Sequence, residues 1–200
     1  MELNRDFWNS RYKSFDTGWD IGEVSTPLKN YFDQLKDKSL RILIPGSGNA
    51  YEAEYLFHNG FKNVFLLDFS TLALENFNKR VSDFPKEQLI CQDFFEHKNT
   101  YDLIVEQTFF CAINPELRKN YVEKTWELLS SQGKIAGLLF NDPLNSEKPP
   151  FGGSKEEYEK LFKSKFEVLK LEIACNSITP RAGRELFFIF KRKRDNSKNH

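Results

Sequence analysis

The chain has 200 residues with 29 basic and 29 acidic side chains, and this zero formal charge removes the electrostatic case for a nucleic-acid partner. No stretch approaches the apolar length of a membrane span, and the opening Met1-Glu2-Leu3-Asn4-Arg5-Asp6 lacks the basic start and apolar core of a signal peptide. Cys91, Cys111 and Cys175 are widely spaced and match no zinc pattern, so the expectation is a cytoplasmic protein with free thiols and no metal, of a size that suits one α/β domain.

Phe7, Trp8, Arg11 and Tyr12 share one face of a helix that Asn4 can cap. A second helix is predicted from Thr26-Pro27, with the threonine as cap and the proline at the first helical position. Its Leu28, Tyr31, Phe32 and Leu35 recur at helical spacing and define one buried face. Between the two helices runs Thr17-Gly18-Trp19-Asp20-Ile21-Gly22, a loop with a tryptophan near its centre.

Alternation then begins. Strands are predicted at Arg41 to Ile44, Asn63 to Leu67, Leu89 to Cys91, Asp102 to Val105 and Lys134 to Phe140. Helices separate them: Tyr51 to Asn59, stopped by Gly60; Leu72 to Val81; and a helix entered at Asn114-Pro115 that runs through Leu129. Near-continuous apolar strands alternating with helices imply a parallel sheet covered on both faces. Ser154-Lys155-Glu156-Glu157 is a capping box for one more short helix. Phe166 to Ala174 and Glu185 to Arg192 have only a loop between them, too short for a crossover helix, so this pair is expected to run antiparallel. Lys191 to His200 reads as a solvated tail.

Four strand ends carry glycine or acid: Gly46-Ser47-Gly48-Asn49, Asp68, Asp93 and Glu106. Ligands of open α/β sheets bind at the carboxyl ends of strands. Glycines let the main chain turn tightly and approach a ligand without a Cβ. An acid about 20 residues after the glycine turn is placed to accept from a ribose diol. A dinucleotide would want a third glycine where this chain has Tyr51, and a basic residue that Gly46 to Glu54 does not contain. Glu52 and Glu54, in the first turns of the next helix, would repel a phosphate. These features favour S-adenosylmethionine, which has a ribose diol and a sulfonium but no phosphate. Aromatic faces at Trp8, Tyr12, Trp19, Phe94 and Phe109-Phe110 suit a sulfonium and an adenine ring. His58 and His97 read as surface histidines, and Cys111 as a buried thiol.

The chain resembles the thiopurine S-methyltransferase family, in its thiol and halide methyltransferase-like branch. The resemblance rests on the Trp8, Tyr12 and Trp19 opening, Ile44-Pro45-Gly46-Ser47-Gly48-Asn49-Ala50-Tyr51-Glu52, Asp93-Phe94-Phe95, the block from Glu106 to Ile113, Asn114-Pro115 with Arg118, and Pro149-Pro150-Phe151. It implies a Rossmann-like class I methyltransferase fold, a seven-stranded, mostly parallel sheet with an antiparallel final hairpin. By this resemblance Trp8, Tyr12 and Trp19 close over the cofactor. Gly46 and Gly48 border its methionine part, Asp68 holds the ribose, Asp93 and Phe94 contact adenine, and Glu106 sits nearby. Arg118, Phe151 and Phe110 border the acceptor pocket. Residues 1–38 would then be a helical cap over a core at 39–194, followed by a tail at 195–200.

The expected activity is methylation of a small soft nucleophile, most simply a thiol, by a monomer with no membrane partner. Halide, selenium or tellurium species are the alternative acceptors. The chain departs from the plant-like halide and thiol enzymes in having Phe151 where they have tyrosine and Tyr12 where they have tryptophan. A dinucleotide oxidoreductase and a cofactor-binding protein without catalysis are the competing classes.

Overall fold

Every residue of the run Ile42-Leu43-Ile44-Pro45 is buried, as a strand covered on both faces requires. In the computed structural model, which describes residues 2–195, this run is β1 (Ile42–Pro45). It is preceded by α1 (Arg5–Lys13) and α2 (Thr26–Phe32). The remaining elements are α3 (Tyr51–His58), β2 (Val64–Asp68), α4 (Thr71–Arg80), β3 (Leu89–Cys91), β4 (Tyr101–Gln107), α5 (Arg118–Leu128), β5 (Leu129–Phe140), α6 (Lys155–Phe162), β6 (Phe166–Ile173) and β7 (Glu185–Arg192).

The sheet has seven strands in the order β3-β2-β1-β4-β5-β7-β6. Strands β1 to β5 pair in parallel, whereas β7 runs antiparallel to both β5 and β6. The chain moves outward from β1 through β2 to β3, then returns to place β4 on the other side of β1. That reversal opens a crevice at the carboxyl ends of β1 and β4, the switch point where ligands of such sheets bind.

Alternation along the strands feeds two cores. Leu43, Ile104, Ile135 and Phe188 point to one face, where Tyr121 and Val122 of α5 and Tyr158 and Phe162 of α6 pack. Ile42, Ile44, Leu66 and Val105 point to the other, against Leu28 and Phe32 of α2, Leu56 of α3 and Phe77 of α4. Phenylalanine is the main filler. Phe162, Phe188 and Phe190 form one contact group with ring centroids 4.7–6.4 Å apart. Among the described residues no helix is long and apolar enough to cross a membrane.

Two local readings change. The cap of α2 is Ser25, not Thr26, so Pro27 is the second helical residue. The buried Ser25 N–H donates to Glu52 Oε1 at 3.1 Å, which starts the turn one residue early. Asn114 caps a short 3₁₀ turn, Pro115–Leu117, and α5 follows only at Arg118. The last strand keeps its expected bounds, Glu185–Arg192. Lys191 and Arg192 belong to β7, with the Arg192 guanidinium 4.0 Å from the centroid of the Trp126 ring, and Lys193 N–H donates to Lys165 O at 2.9 Å. Residues 196–200 of the expected tail lie outside the described residues.

Gly137 of β5 faces Glu106 of β4 in the parallel register. A Cβ at Gly137 would overlap the Glu106 main chain and its Cβ. Gly137→Ala is therefore expected to destabilise the fold by roughly 1–3 kcal/mol, the cost of overpacking, read as a lower midpoint in urea unfolding with an unchanged m-value. An unchanged midpoint would mean that the two strands separate freely there.

Candidate functional site

The turn after β1 and the acid ending β2 form one unit. Gly46 and Gly48 both have left-handed backbone, with φ of +56° and +54°, which L side chains adopt at a cost. This geometry aims the Gly48 N–H at Asp68 Oδ2, at 3.0 Å, while the Ser70 N–H donates to Asp68 Oδ1 at 2.8 Å. An ionised carboxylate has about four acceptor positions, so capacity remains for a further donor. Burial pushes the Asp68 carboxyl up to about 6, against the three main-chain N–H groups of Ser70, Gly48 and Phe69 that pull it down. Ser47 Oγ, inside the same turn, is buried without a partner.

The amino-terminal segment lies on this unit. A Cβ at Gly48 would come 3.0 Å from Tyr12 Oη and 3.9 Å from Trp19 Nε1, so both side chains rest directly on the turn. Trp19 meets the rings of Trp8 and Tyr12 edge to face, at 5.5 and 5.8 Å. The Arg11 guanidinium stands 5.2 Å from the Trp19 ring. Three hydrogen bonds hold the segment down: Ser70 Oγ to Asn9 Oδ1 at 2.7 Å, the Asn49 amide to Asp20, and Arg181 Nη2 to the Trp19 carbonyl at 2.7 Å. Trp8, Tyr12 and Trp19 are thus brought together, as the sequence led one to expect.

Asp93 is exposed and caps a short 3₁₀ turn, accepting from Phe95 N–H at 2.8 Å. Phe94 is buried, stacked on Tyr121 at 5.4 Å and edge-on to Phe109 at 5.3 Å. It reaches the glycine turn only through Phe109, whose ring fills the space that a Cβ on Gly46 would need.

Glu106 stands at the end of β4, beside the crevice, but its carboxylate points into the protein. Oε1 accepts from the N–H groups of Phe109 and Phe110 at 2.7 and 2.8 Å, and Oε2 accepts from Tyr121 Oη at 2.5 Å. Thr108 is left-handed, with φ of +60°, and the two amides that follow it need an acceptor. Glu106 supplies one. Burial pushes its carboxyl up to about 7, opposed by these three donors.

Beyond this turn lies a cavity of about 10 Å³, the room of a single water molecule, bounded by Gln107, Thr108, Phe110, Cys111, Phe140 and Glu185. Gln107 Oε1 is buried without a partner. Burial and the nearby Glu106 push the Cys111 thiol up to about 12, so it stays protonated and donates to Thr108 O at 3.2 Å. Outside the cavity, an open groove of about 520 Å³ runs past Asn141, Asn145, Phe151 and Glu157.

Arg118, the first residue of α5, is buried, and its Nε has no partner among the described residues. It is 6 % exposed, paired with Glu157 at 2.7 Å and donating to the Gly152 carbonyl at 2.7 Å, with its guanidinium 4.7 Å from the Phe110 ring. Together with the Phe151 N–H, which donates to Cys111 O at 2.7 Å, it stitches the Pro149-Pro150-Phe151 loop onto the site.

Other readings also change. His97 is buried, not superficial, between Gln92 and Tyr101, because the loop folds back under β4. His58 is exposed. The two acids after the glycine turn do not present bare charge. Glu52 is buried, accepting from Ser25 N–H, and burial raises its pKa. Glu54 pairs with Arg80 at 2.8 Å, and Arg80 also lies 4.4 Å from the Tyr51 ring and donates to Asn49 O. A basic residue does reach the turn, from α4. The obstacle to a pyrophosphate is Tyr51 in the place of a third glycine. Arg181, Glu185 and Gln107 were not singled out by sequence reasoning. The only local sign was an arginine and a glutamate four residues apart at the foot of the last strand.

The model of the family described as thiopurine S-methyltransferase (TPMT) matches residues 3–188. A probable thiol methyltransferase 2 of Arabidopsis thaliana is 29% identical over 184 residues, 89% of this chain and 81% of that protein. A thiopurine S-methyltransferase of Acinetobacter baylyi is 23% identical over 193 residues, 85% of this chain and 88% of that one. Among solved structures, the 1,6-didemethyltoxoflavin-N1-methyltransferase of Burkholderia thailandensis, with bound S-adenosylhomocysteine, superposes with a TM-score of 0.77. It is 14% identical, covers 96% of this chain and 88% of its own, and so speaks to the fold alone.

Asp68 and Glu106 hold their protons more tightly in the folded chain than in the unfolded one, where carboxyls titrate near ~4. The folded state therefore binds more protons above that range. Its stability is complete at lower pH and declines as pH rises through about 6 and about 7. The melting temperature is expected to fall between about pH 4 and about pH 7 and to level off above, and Glu106→Gln to flatten the upper part of that fall. Parallel curves for the two proteins would mean that Glu106 is already ionised throughout.

Proposed function

The chain belongs to the thiopurine S-methyltransferase family, and from that premise we propose that it methylates a small thiol in the cavity between β4 and β7. It is an S-adenosylmethionine-dependent methyltransferase. Several features of the crevice fit that cofactor. Asp68 keeps acceptor capacity for a ribose diol, Ser47 Oγ in the glycine turn is buried without a partner, and the rings of Tyr12, Trp19 and Phe109 gather at the Cβ-less faces of Gly48 and Gly46. When bound, the cofactor supplies an electrophilic methyl group on a sulfonium.

The chain's own residues bind, orient and exclude water. Asp68 holds the ribose, and Asp93 and the Phe94 segment flank the adenine side. Gly46 and Gly48 border the methionine part, and Trp8, Tyr12 and Trp19 close over the top. Residues 1–38 act as a cap, and residues 39–194 as the core of a monomeric cytoplasmic enzyme. Glu106 touches neither reactant; it fixes the Thr108 turn that separates them. Phe110, Phe151 and Arg118 shape the acceptor side, with Arg118 acting through the loop it clamps.

One observation carries the thiol assignment. The titratable side chains in and beside the cavity are already committed: Glu106 to three donors, Glu185 to Arg181, Tyr158 Oη donating to Phe140 O at 2.7 Å, and Cys111 as a protonated thiol. The acceptor must therefore bring its own nucleophilicity. A thiol with a pKa near ~8.5 is partly ionised at neutral pH and meets that demand. Alignment alone can contribute about 7–11 kcal/mol, and a low-dielectric pocket favours a step in which a cation and an anion become neutral. A second reading, methylation of iodide or of selenium and tellurium anions, rests on the same observation, since these acceptors also bring their own nucleophilicity to a cavity with no free base among the described residues.

Titration calorimetry with S-adenosylmethionine is expected to give binding that strengthens as pH rises through about 6, because ribose hydroxyls donate to the ionised Asp68. Asp68→Asn should weaken binding by roughly 10- to 100-fold, the worth of hydrogen bonds to a charged group, and remove that pH dependence. Methyl transfer assayed across hydrosulfide, larger thiols, iodide and selenite should then favour the thiols. Absence of binding would end the reading, and turnover of iodide or selenite alone would select the alternative.

A further inference from the structure

Arg181 and Glu185 form a buried ion pair that the reaction outlined above does not use. Arg181 ends a short 3₁₀ turn, Thr179–Arg181, in the loop between β6 and β7. It is 8 % exposed, and Glu185, the first residue of β7, is 3 % exposed. Arg181 Nη1 lies 3.3 Å from Glu185 Oε1, its Nη2 donates to the Trp19 carbonyl at 2.7 Å, and its guanidinium is 5.8 Å from the centroid of the Phe140 ring. Burying a guanidinium is costly unless its charge and its donors are both matched. Here the match is divided between two distant parts of the chain. Glu185 supplies the charge and forms a wall of the small cavity. Trp19 supplies a main-chain oxygen from the loop that covers the glycine turn. The planar fork of an arginine can reach both at once, whereas a lysine offers a single point and can satisfy one of them.

We propose that Arg181 is a positioning residue that fixes Trp19 over the Gly46–Gly48 turn and, through Glu185, ties closure of the cap to the wall of the acceptor cavity. The inference rests on the crevice being the cofactor site. It differs from the bonds at Asn9 and Asp20, which join the cap to the cofactor half of the sheet, because Arg181 is the side chain that hydrogen-bonds it to the acceptor half among the described residues. The cap and the acceptor wall are thereby parts of one hydrogen-bonded assembly, so the site is complete only when the amino-terminal loop and the last hairpin are both in place.

The test is a double-mutant cycle on the full chain, with S-adenosylhomocysteine binding measured by calorimetry. Arg181→Lys is expected to weaken binding by about tenfold, the range of a lost charge-assisted hydrogen bond. Trp19→Ala should weaken it too, and Arg181→Lys introduced into Trp19→Ala should add little, since Arg181 acts through the Trp19 ring. Glu185→Gln, which leaves Arg181 in place but removes its counter-charge, should move binding in the same direction by less and serves if Arg181→Lys fails to fold. Steady-state kinetics of Arg181→Lys should place the larger loss in the KM for S-adenosylmethionine, with a smaller rise in the hydrosulfide KM transmitted through Glu185. Losses that multiply independently, an unchanged affinity in both Arg181→Lys and Glu185→Gln, or a rise confined to the hydrosulfide KM would each overturn the proposal. A wild-type chain that binds no S-adenosylhomocysteine would instead overturn the assignment of the crevice, so the two failures are distinguishable.

Discussion

The hydrogen bond from the Gly48 N–H to the Asp68 carboxylate, 3.0 Å long, joins the two strand ends on which the site is built. It requires a left-handed glycine after β1 and an acid as the last residue of β2, in neighbouring parallel strands. With the acid held from both sides, by Gly48 and Ser70, its free acceptor positions are aimed by the backbone and not by a flexible side chain. The cap then settles on the same turn through Tyr12 and Trp19, because a glycine offers no Cβ to keep them away.

Glu106 performs the corresponding task on the neighbouring strand. A buried carboxylate costs several kcal/mol unless its lone pairs are filled, and three donors fill them. In return Thr108 holds a left-handed conformation next to the crevice, and Phe109 and Phe110 follow it on fixed amides. The result is a rigid partition: Phe109 faces the glycine turn on one side, and Phe110 and Cys111 face the small cavity on the other. A reaction that depends on alignment more than on acid–base chemistry benefits from a partition of this kind, since small displacements of the reactants are costly.

Arginines hold the periphery. Arg118 fastens the Pro149-Pro150-Phe151 loop, Arg80 buttresses the glycine turn, and Arg181 fastens the Trp19 loop. Each donates to a main-chain carbonyl and pairs with a glutamate: Glu157, Glu54 and Glu185 respectively. Loops at the carboxyl edge of a sheet have carbonyls that no strand satisfies, and a multidentate cation can bind such an oxygen while its own charge is neutralised. Neutral overall charge is consistent with this use of arginine as internal fastener, not as a surface for a polyanion.

The sequence by itself determined the order of strands and helices, the antiparallel final pair, and the glycine turn with its acid. Apolar periodicity and glycine placement are set by neighbours a few residues away, and these were legible. That Trp8, Tyr12 and Trp19 gather at the turn was implied by the family resemblance and not by their spacing. Only the tertiary structure decided where side chains point and whom they meet. It turned Glu106 inward, buried Phe94, His97 and Arg118, neutralised Glu54 with Arg80, and joined Trp19 to Arg181 across 162 positions. These outcomes depend on partners distant in the chain, brought together when the parallel strands pair, and the spacing of residues along a single segment carries no record of them.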